Sequence, residues 1–294
     1  MKIGWIGTGR MGLAMAARLL AAGYDVAAYN RTRSKAEPLA ASGATIVDDI
    51  AELAGRDVVF TMVADSPAFT GSAHALLDAG FTGILVDCST VSAEASASVR
   101  AAGARLLAAP VSGNAKVVAA GRLSLVVSGP AHDFEAVRDM LSALGTGVSY
   151  VGEGESARLV KIAHNVFLGV VAQSLAEVTV LAERAGVPRA AFLDFLNRSV
   201  LGSAFTRYKT PAYVHLDLAP TFTTRLLRKD LALGLSAAES RSAPMPLAAL
   251  THELVGLAVD RGHGDEDFAA LLIEQARAAG YEPEPEDTEV GDGL

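Results

Sequence analysis

Gly7, Gly9 and Gly12 stand in a Gly-x-Gly-x-x-Gly spacing, directly behind the apolar run 2–6 and directly ahead of an alanine- and leucine-rich stretch. Glycines so placed suit a phosphate cradle. The first permits a tight turn, the second lets a pyrophosphate approach the backbone, and the third lets helix and strand pack closely. The free N–H groups and the positive end of the following helix dipole then face the phosphates. Alone, the spacing also occurs in ordinary glycine-rich turns. With a strand before it and a helix after it, it reads as a dinucleotide site formed by Gly7, Thr8, Gly9, Arg10, Met11 and Gly12.

The segment Tyr29-Asn30-Arg31-Thr32-Arg33 should decide which dinucleotide is taken. NAD-selective sites place an Asp or Glu about 20 residues beyond the glycines, on the ribose 2′-hydroxyl. No acid follows Tyr29. Asn30, Arg31 and Thr32 line the expected contact, and Arg31 and Arg33 can pair with a 2′-phosphate, for which a guanidinium fork is the better partner. The plainer alternative is that both arginines only solvate a helix start. NADP is the expected cofactor, with NAD possible.

Three further stretches carry polar residues that a packed core would not need: Asp87-Cys88-Ser89-Thr90, Ser112-Gly113-Asn114, and Lys161 with His164 and Asn165. A glycine-containing turn bearing Ser112 offers N–H and O–H donors for a carboxylate. A lysine can give or take the proton of an alkoxide when desolvation or nearby cations lower its pKa. On a helix, positions 161, 164, 165 and 168 share a face, so Lys161, His164 and Asn165 can meet one ligand. Most lysines are solvated and most histidines merely satisfied in place; the apolar surroundings of Lys161 weigh against the first. Cys88 reads as a small buried residue. No set of His, Cys, Asp and Glu has metal-ligand spacing, and His263-Gly-Asp265-Glu-Asp267 reads as the start of a helix.

The elements that must position these residues change character midway. Strands are expected at 2–6, 25–29, 44–47, 57–62, 83–88, 104–108, 123–127 and 147–151. Helices are expected at 10–22, 33–41, 67–78, 92–101 and 131–143. This alternation implies a parallel sheet covered on both faces, an α/β Rossmann-type doubly wound arrangement with ligands beyond the C-terminal strand ends. From about residue 155 no strand is expected. A helix of roughly 30 residues (156–185) exceeds the usual ~25 and should join the sheet domain to a second, all-α domain. Further helices are expected at 189–198, 222–240, 245–262 and 266–279. The boundaries drawn are 1–158, 159–281 and an acidic, proline-containing tail 282–294, expected to be disordered.

Bulk properties fit an ordinary soluble globular protein of about two domains: 294 residues, 51% hydrophobic, 20% charged and a formal net charge of −8. The acidic balance argues against nucleic acid. One cysteine precludes an intramolecular disulfide. Gln173, Ser174 and Glu177 interrupt the apolar stretch 166–182, which reads as a core helix and not a membrane span. The first strand begins at Lys2, leaving no room for a secretory signal, so a cytoplasmic protein is expected.

Taken together, the glycine fingerprint and the three polar stretches resemble the β-hydroxyacid dehydrogenase family, which includes 3-hydroxyisobutyrate dehydrogenases and tartronate semialdehyde reductases. The resemblance covers residues 1–280. It implies an all-helical second domain with the substrate in the cleft between domains. It also implies Lys161 as the catalytic lysine, with Asn165 orienting the substrate or the lysine. Ser112 and the backbone of Gly113 and Asn114 would hold the substrate carboxylate. Lys229, in Lys229-Asp230-Leu231, would line the cleft for substrate and cofactor; Met62 and Val63 would face the cofactor, and Thr90 the ribose. Two departures stand out. Asn114 replaces the family's second glycine, narrowing the pocket or adding a donor, and His164 resembles the 6-phosphogluconate dehydrogenase branch. That branch's acid, two turns after the lysine, is here Leu168, which favours simple alcohol–carbonyl interconversion.

The expectation is therefore an NADP-preferring oxidoreductase, similar to 3-hydroxyisobutyrate dehydrogenase, that interconverts a small 3-hydroxy acid and its semialdehyde. A homodimer or homotetramer is implied by the resemblance. Two alternatives differ in kind. Imine reductases share the fingerprint and helical domain but generally lack the lysine. A non-catalytic NADP-binding interaction module would keep the fold without turnover.

Overall fold

A computed structural model of the chain describes residues 1–291 and 293. Two compact units part within one long helix, Met1–Lys161 and Ile162 onward, three residues beyond the boundary drawn from sequence.

In the first unit, β1 (Lys2–Ile6), β2 (Asp25–Tyr29), β3 (Thr45–Ile46), β4 (Val58–Thr61), β5 (Ile84–Asp87) and β6 (Arg105–Ala108) form one sheet in the order β3-β2-β1-β4-β5-β6. All its pairings are parallel. Parallel strands covered on both faces read as continuous apolar runs, and alternate residues serve two cores. Ile3, Trp5, Val58, Phe60 and Leu107 face one layer, with α1 (Arg10–Ala21) and α5 (Ala131–Leu144). Ile6, Val59, Leu85 and Leu106 face the other, with α2 (Ser66–Asp78) and α3 (Ala93–Ala101). Trp5 and Phe60 stack across β1 and β4 with ring centroids 5.5 Å apart. The strand order reverses between β1 and β4, and the crevice beyond their C-terminal ends is where such sheets bind ligands.

A small second sheet follows. β7 (Val111–Ser112) runs antiparallel to β8 (Ser124–Val127), which pairs in parallel with β9 (Gly147–Tyr150). β7 and α4 (Ala115–Ala119) lie in a stretch expected to be loop. The helix expected at 33–41 is instead two 3-10 turns, Arg33–Lys35 and Glu37–Ser42. Pro38 cannot donate to an α-helical ladder there.

The second unit is helical: the bulk of α6 (Ser156–Arg184), then α7 (Arg189–Arg198), α8 (Ala204–His215), α9 (Thr224–Glu239), α10 (Pro246–Asp260) and α11 (Leu271–Ala278). α6 is long and apolar enough to cross a membrane, yet half of its apolar window is buried. Val166, Ala172, Leu175, Ala176 and Val180 supply its face of the helical core. α8, with Pro211 inside it, was absent from the sequence reading; burial of Tyr213 and Val214 and a Ser203–Thr206 capping box outweigh the proline.

The tail departs from its expected disorder over 282–291. The Glu286 carboxylate accepts from the Arg189 and Ala190 N–H groups (2.6 and 2.9 Å) and so caps α7, whose first turn follows Pro188. Glu286 N–H donates to the Val214 carbonyl at 2.9 Å, and the buried Arg189 guanidinium donates to the Glu284 carbonyl. Val290 packs against the helical core, and a helix N-terminus and a buried guanidinium give the acidic segment polar partners. Positions 292 and 294 lie outside the described residues.

Asp267 organises the helical unit. Its carboxylate pairs with buried Lys209 and accepts from Thr221 N–H and Oγ1 (2.9 and 2.7 Å) and Ala269 N–H (2.9 Å), the last as a helix cap. Burial draws the Lys209 ammonium below its usual value. Burial would by itself raise the Asp267 carboxyl, but the Lys209 charge and these hydrogen bonds outweigh it and hold the carboxyl below 3.8. A depressed carboxyl stabilises fully above its unfolded value, and the contribution is lost as pH falls through the folded one. Lys209→Met leaves a buried carboxylate unpaired and should cost about 3–5 kcal/mol. Acid titration followed by circular dichroism should show wild-type stability falling below about pH 4, with a shallower loss in the variant.

Candidate active site

The turn from β1 into α1 is built by clashes that only glycine avoids. Gly7 has φ +96°, and a Cβ there would overlap the Met62 carbonyl oxygen and lie 3.1 Å from Val63 Cγ1. A Cβ at Gly12 would overlap the Gly7 carbonyl oxygen, so helix and strand could not meet. Gly9 differs: a Cβ there meets no atom within 4 Å. It is the N-cap of α1 and offers no side chain to the first N–H groups. Thr8 Oγ1, beside it, is buried with no hydrogen-bond partner. An open glycine at a helix start without a side-chain cap, and a buried hydroxyl with no partner among the described residues, fit a dinucleotide pyrophosphate at a strand-order reversal.

Asn30, at the end of β2, is committed to the loops. Its Oδ1 accepts from Thr8 N–H and its Nδ2 donates to the Thr32 carbonyl, both at 2.9 Å. The structure thus brings Thr8, Asn30 and Thr32 together. Arg33 is bound to Asp48 and Glu37, whereas no ion pair holds exposed Arg31 among the described residues.

After β4, Met62 and Val63 flank Gly7, and Val63 N–H donates to Ser89 Oγ at 2.9 Å. Ser89 Oγ donates in turn to Asp87 Oδ1 at 2.7 Å. Thr90 follows directly, in the same turn. Cys88 is fully buried, and burial, then the Asp87 charge, push its thiol far above the usual value, leaving an inert side chain.

Gly113 has φ +140°, and a Cβ there would sit 2.8 Å from Val117 Cγ1. Asn114 Oδ1 accepts from Val117 N–H at 3.1 Å and caps α4. Its oxygen serves the helix. Ser112 ends β7 and is half-buried.

On α6, Lys161 is buried, 8% exposed, and Asn165 lies one turn further on. In the helical unit a chain of polar groups fixes Asn165. Its Nδ2 donates to Asp230 Oδ2 at 2.5 Å, and its Oδ1 faces His164 Nδ1 at 3.0 Å. A carboxylate only accepts, so the amide nitrogen must face Asp230 and the amide oxygen must accept from His164 Nδ1–H. The histidine tautomer is therefore set from the buried end of the chain. Lys229 Nζ lies 3.2 Å from Asp230 Oδ1 as an ion pair, though that oxygen has no partner in hydrogen-bond geometry. Asp230, 2% exposed, was quoted in the sequence motif without a role. A carboxylate within an apolar helical face was the signal for it.

A family model described as the NAD binding domain of 6-phosphogluconate dehydrogenase matches residues 2–152, and one described as NAD-binding of NADP-dependent 3-hydroxyisobutyrate dehydrogenase matches residues 155–274. Chloroplastic glyoxylate/succinic semialdehyde reductase 2 of Arabidopsis thaliana is 31% identical over 288 residues, spanning 95% of this chain and 80% of that protein. The chain belongs to the β-hydroxyacid dehydrogenase family. The Mycobacterium tuberculosis 3-hydroxyisobutyrate dehydrogenase solved with L-serine is 27% identical with TM-score 0.81, covering 92% of this chain and 97% of that one. An imine reductase from Myxococcus stipitatus solved with NADP+ is 25% identical with a lower TM-score of 0.60, covering 92% and 98%. This β-hydroxyacid dehydrogenase is accordingly an NAD(P)-dependent oxidoreductase with a Rossmann-type domain and a helical second domain.

The glycines of this β-hydroxyacid dehydrogenase separate binding from folding. Gly9→Ala should change stability by no more than about 1 kcal/mol while weakening NADPH binding at least tenfold in titration calorimetry. Gly12→Ala should destabilise the ligand-free protein by about 1–3 kcal/mol through overpacking, read from its urea midpoint.

Proposed function

We propose that this chain is an NADP-preferring oxidoreductase, similar to 3-hydroxyisobutyrate dehydrogenase, that interconverts a small 3-hydroxy acid and its semialdehyde. The observation that carries this reading is a buried lysine, Lys161, one helical turn from an asparagine that Asp230 locks in place. When bound, the nicotinamide supplies or accepts the hydride. Gly7, Thr8, Gly9, Arg10, Met11 and Gly12 hold its pyrophosphate at the start of α1, with Met62, Val63 and Thr90 along the crevice. Lys161 Nζ delivers the proton to the carbonyl oxygen as it becomes an alkoxide, and withdraws it in the reverse direction. Ser112 Oγ and the N–H groups of Gly113 and Asn114 receive the substrate carboxylate. Asn165 orients the reacting oxygen, with His164 beside it, and Lys229 lines the same site.

The relative named for glyoxylate and succinic semialdehyde and the structure solved with L-serine both point to small carboxylate-bearing substrates. L-Serine is itself a 3-hydroxy acid. Arg31 supports NADP: among the described residues no ion pair holds it, and the strand end beside it lacks an acid. Exposed Phe167 and Leu181 on α6 and Leu247, Leu250 and Leu257 on α10 support a homodimer or homotetramer. A single buried thiol supports a cytoplasmic setting.

A panel of semialdehydes, 3-hydroxy acids and a cyclic imine, assayed with NADPH or NADP+, tests the reading. Turnover should be confined to the carboxylate-bearing carbonyls and alcohols. Imine reduction alone would select the imine reductase alternative, and cofactor binding without any turnover the interaction module. Lys161→Ala should lower kcat by about 10²–10⁴-fold with NADPH affinity retained. Arg31→Ala should weaken NADPH relative to NADH by the loss of a charged hydrogen bond, about 1.5–3 kcal/mol, measured as the ratio of the two dissociation constants.

A further inference from the structure

The nucleotide-binding unit buries an ion pair that its packing does not require. Asp87, 0% exposed, ends β5, and Arg158, 1% exposed, lies in the first turn of α6. Arg158 Nη2 donates to Asp87 Oδ2 at 2.5 Å and Nη1 to the Ser89 carbonyl at 2.8 Å, while the guanidinium lies 5.5 Å over the Phe69 ring. Asp87 Oδ1 accepts from Thr61 Oγ1 (2.5 Å), Ser89 Oγ (2.7 Å) and Ser89 N–H (3.2 Å). Through Ser89 the same network reaches Val63 N–H. One carboxylate therefore ties the end of β4, the Val63 loop, the turn before Thr90 and the start of α6.

Apolar side chains of similar volume commonly hold a helix to a sheet as well as a buried ion pair does, without the cost of desolvation. What a guanidinium fork adds is direction, because two parallel donors accept only one orientation. Other ties fix where α6 begins. Ser128 Oγ accepts from Ala157 N–H at 3.0 Å and donates to the Gly154 carbonyl at 2.8 Å, and Arg100 holds Glu155 at 3.1 Å. The Arg158 fork lies further along, where it sets rotation about the helix axis. Lys161 is three residues on, on the same face. A misplacement of about 1 Å at a reacting group can cost about 10²-fold in rate.

We propose that the Asp87–Arg158 pair is the positioning device for Lys161, setting the rotation of α6 against the Met62–Val63 loop that faces the cofactor. This rests on the reading of Lys161 as the proton carrier. Arg158 and Asp87 are positioning residues and touch neither substrate nor cofactor.

The test compares Arg158→Gln, Arg158→Lys and the neutral double variant Asp87→Asn/Arg158→Met with wild type, with Lys161→Ala as reference. Arg158→Gln should bind NADPH within about twofold of wild type, keep KM within a few-fold, and lose about 10²-fold in kcat. Its pH–rate limb should move upward, since a cation one turn from the amine is gone. Hydrogen exchange at residues 156–165 of the ligand-free protein should accelerate, and Arg158→Lys should restore part of both kcat and protection. The double variant removes the unpaired charge, so it should fold near wild-type stability and still turn over slowly. Wild-type kcat in the double variant, with Lys161→Ala inactive, would overturn the positioning role alone. An active Lys161→Ala would overturn the proton-carrier reading and this proposal with it.

Discussion

The carboxylate of Asp87 is the constraint on which the nucleotide-binding unit turns. Carried to the C-terminal end of β5 by an all-apolar strand, it is shut off from bulk solvent and its charge is costly unless protein donors satisfy it. Thr61, Ser89 and Arg158 satisfy it, and each comes from a segment that has to be in place beside the cofactor crevice. The cost of burying a charge is thereby converted into fixed relations among β4, the turn after β5 and the first turn of α6. The helical unit also ties its elements through carboxylates, two of them buried. Asp267 gathers Lys209, Thr221 and Ala269; Asp230 holds Asn165; Glu286 caps α7.

Against this polar framework the glycine turn works by exclusion. Gly7 and Gly12 are where any side chain would strike a carbonyl oxygen, and Gly9 is where a side chain would strike nothing in the protein. The first two positions close the turn and the third leaves it open to a ligand. Asn30 braces the loop by holding Thr8 and Thr32.

Much of this was legible in the residues. The strands of the main sheet fall where continuous apolar runs bounded by turns placed them, because burial on both faces leaves a strong local signal. The residues expected to do chemistry do occupy the β1–α1 turn, the ends of β4, β5 and β7, and one face of α6. The misses share a cause. The tail was read as disordered although Glu286 is a cap. α8 was not foreseen because Pro211 opposes it locally. In both cases the deciding partner lies in another part of the chain: Val214 for the tail and the helical core for α8.

The order of apolar runs, the glycine spacing and the lysine-bearing helix are properties of neighbours along the chain, and these by themselves determined the fold class, the cofactor class and the candidate proton carrier. Which polar side chains face a ligand and which face one another was decided only in three dimensions. A buried donor or acceptor takes whichever partner the packed elements bring within about 3 Å, and for Asp87 and Arg158 that partner is 71 positions away.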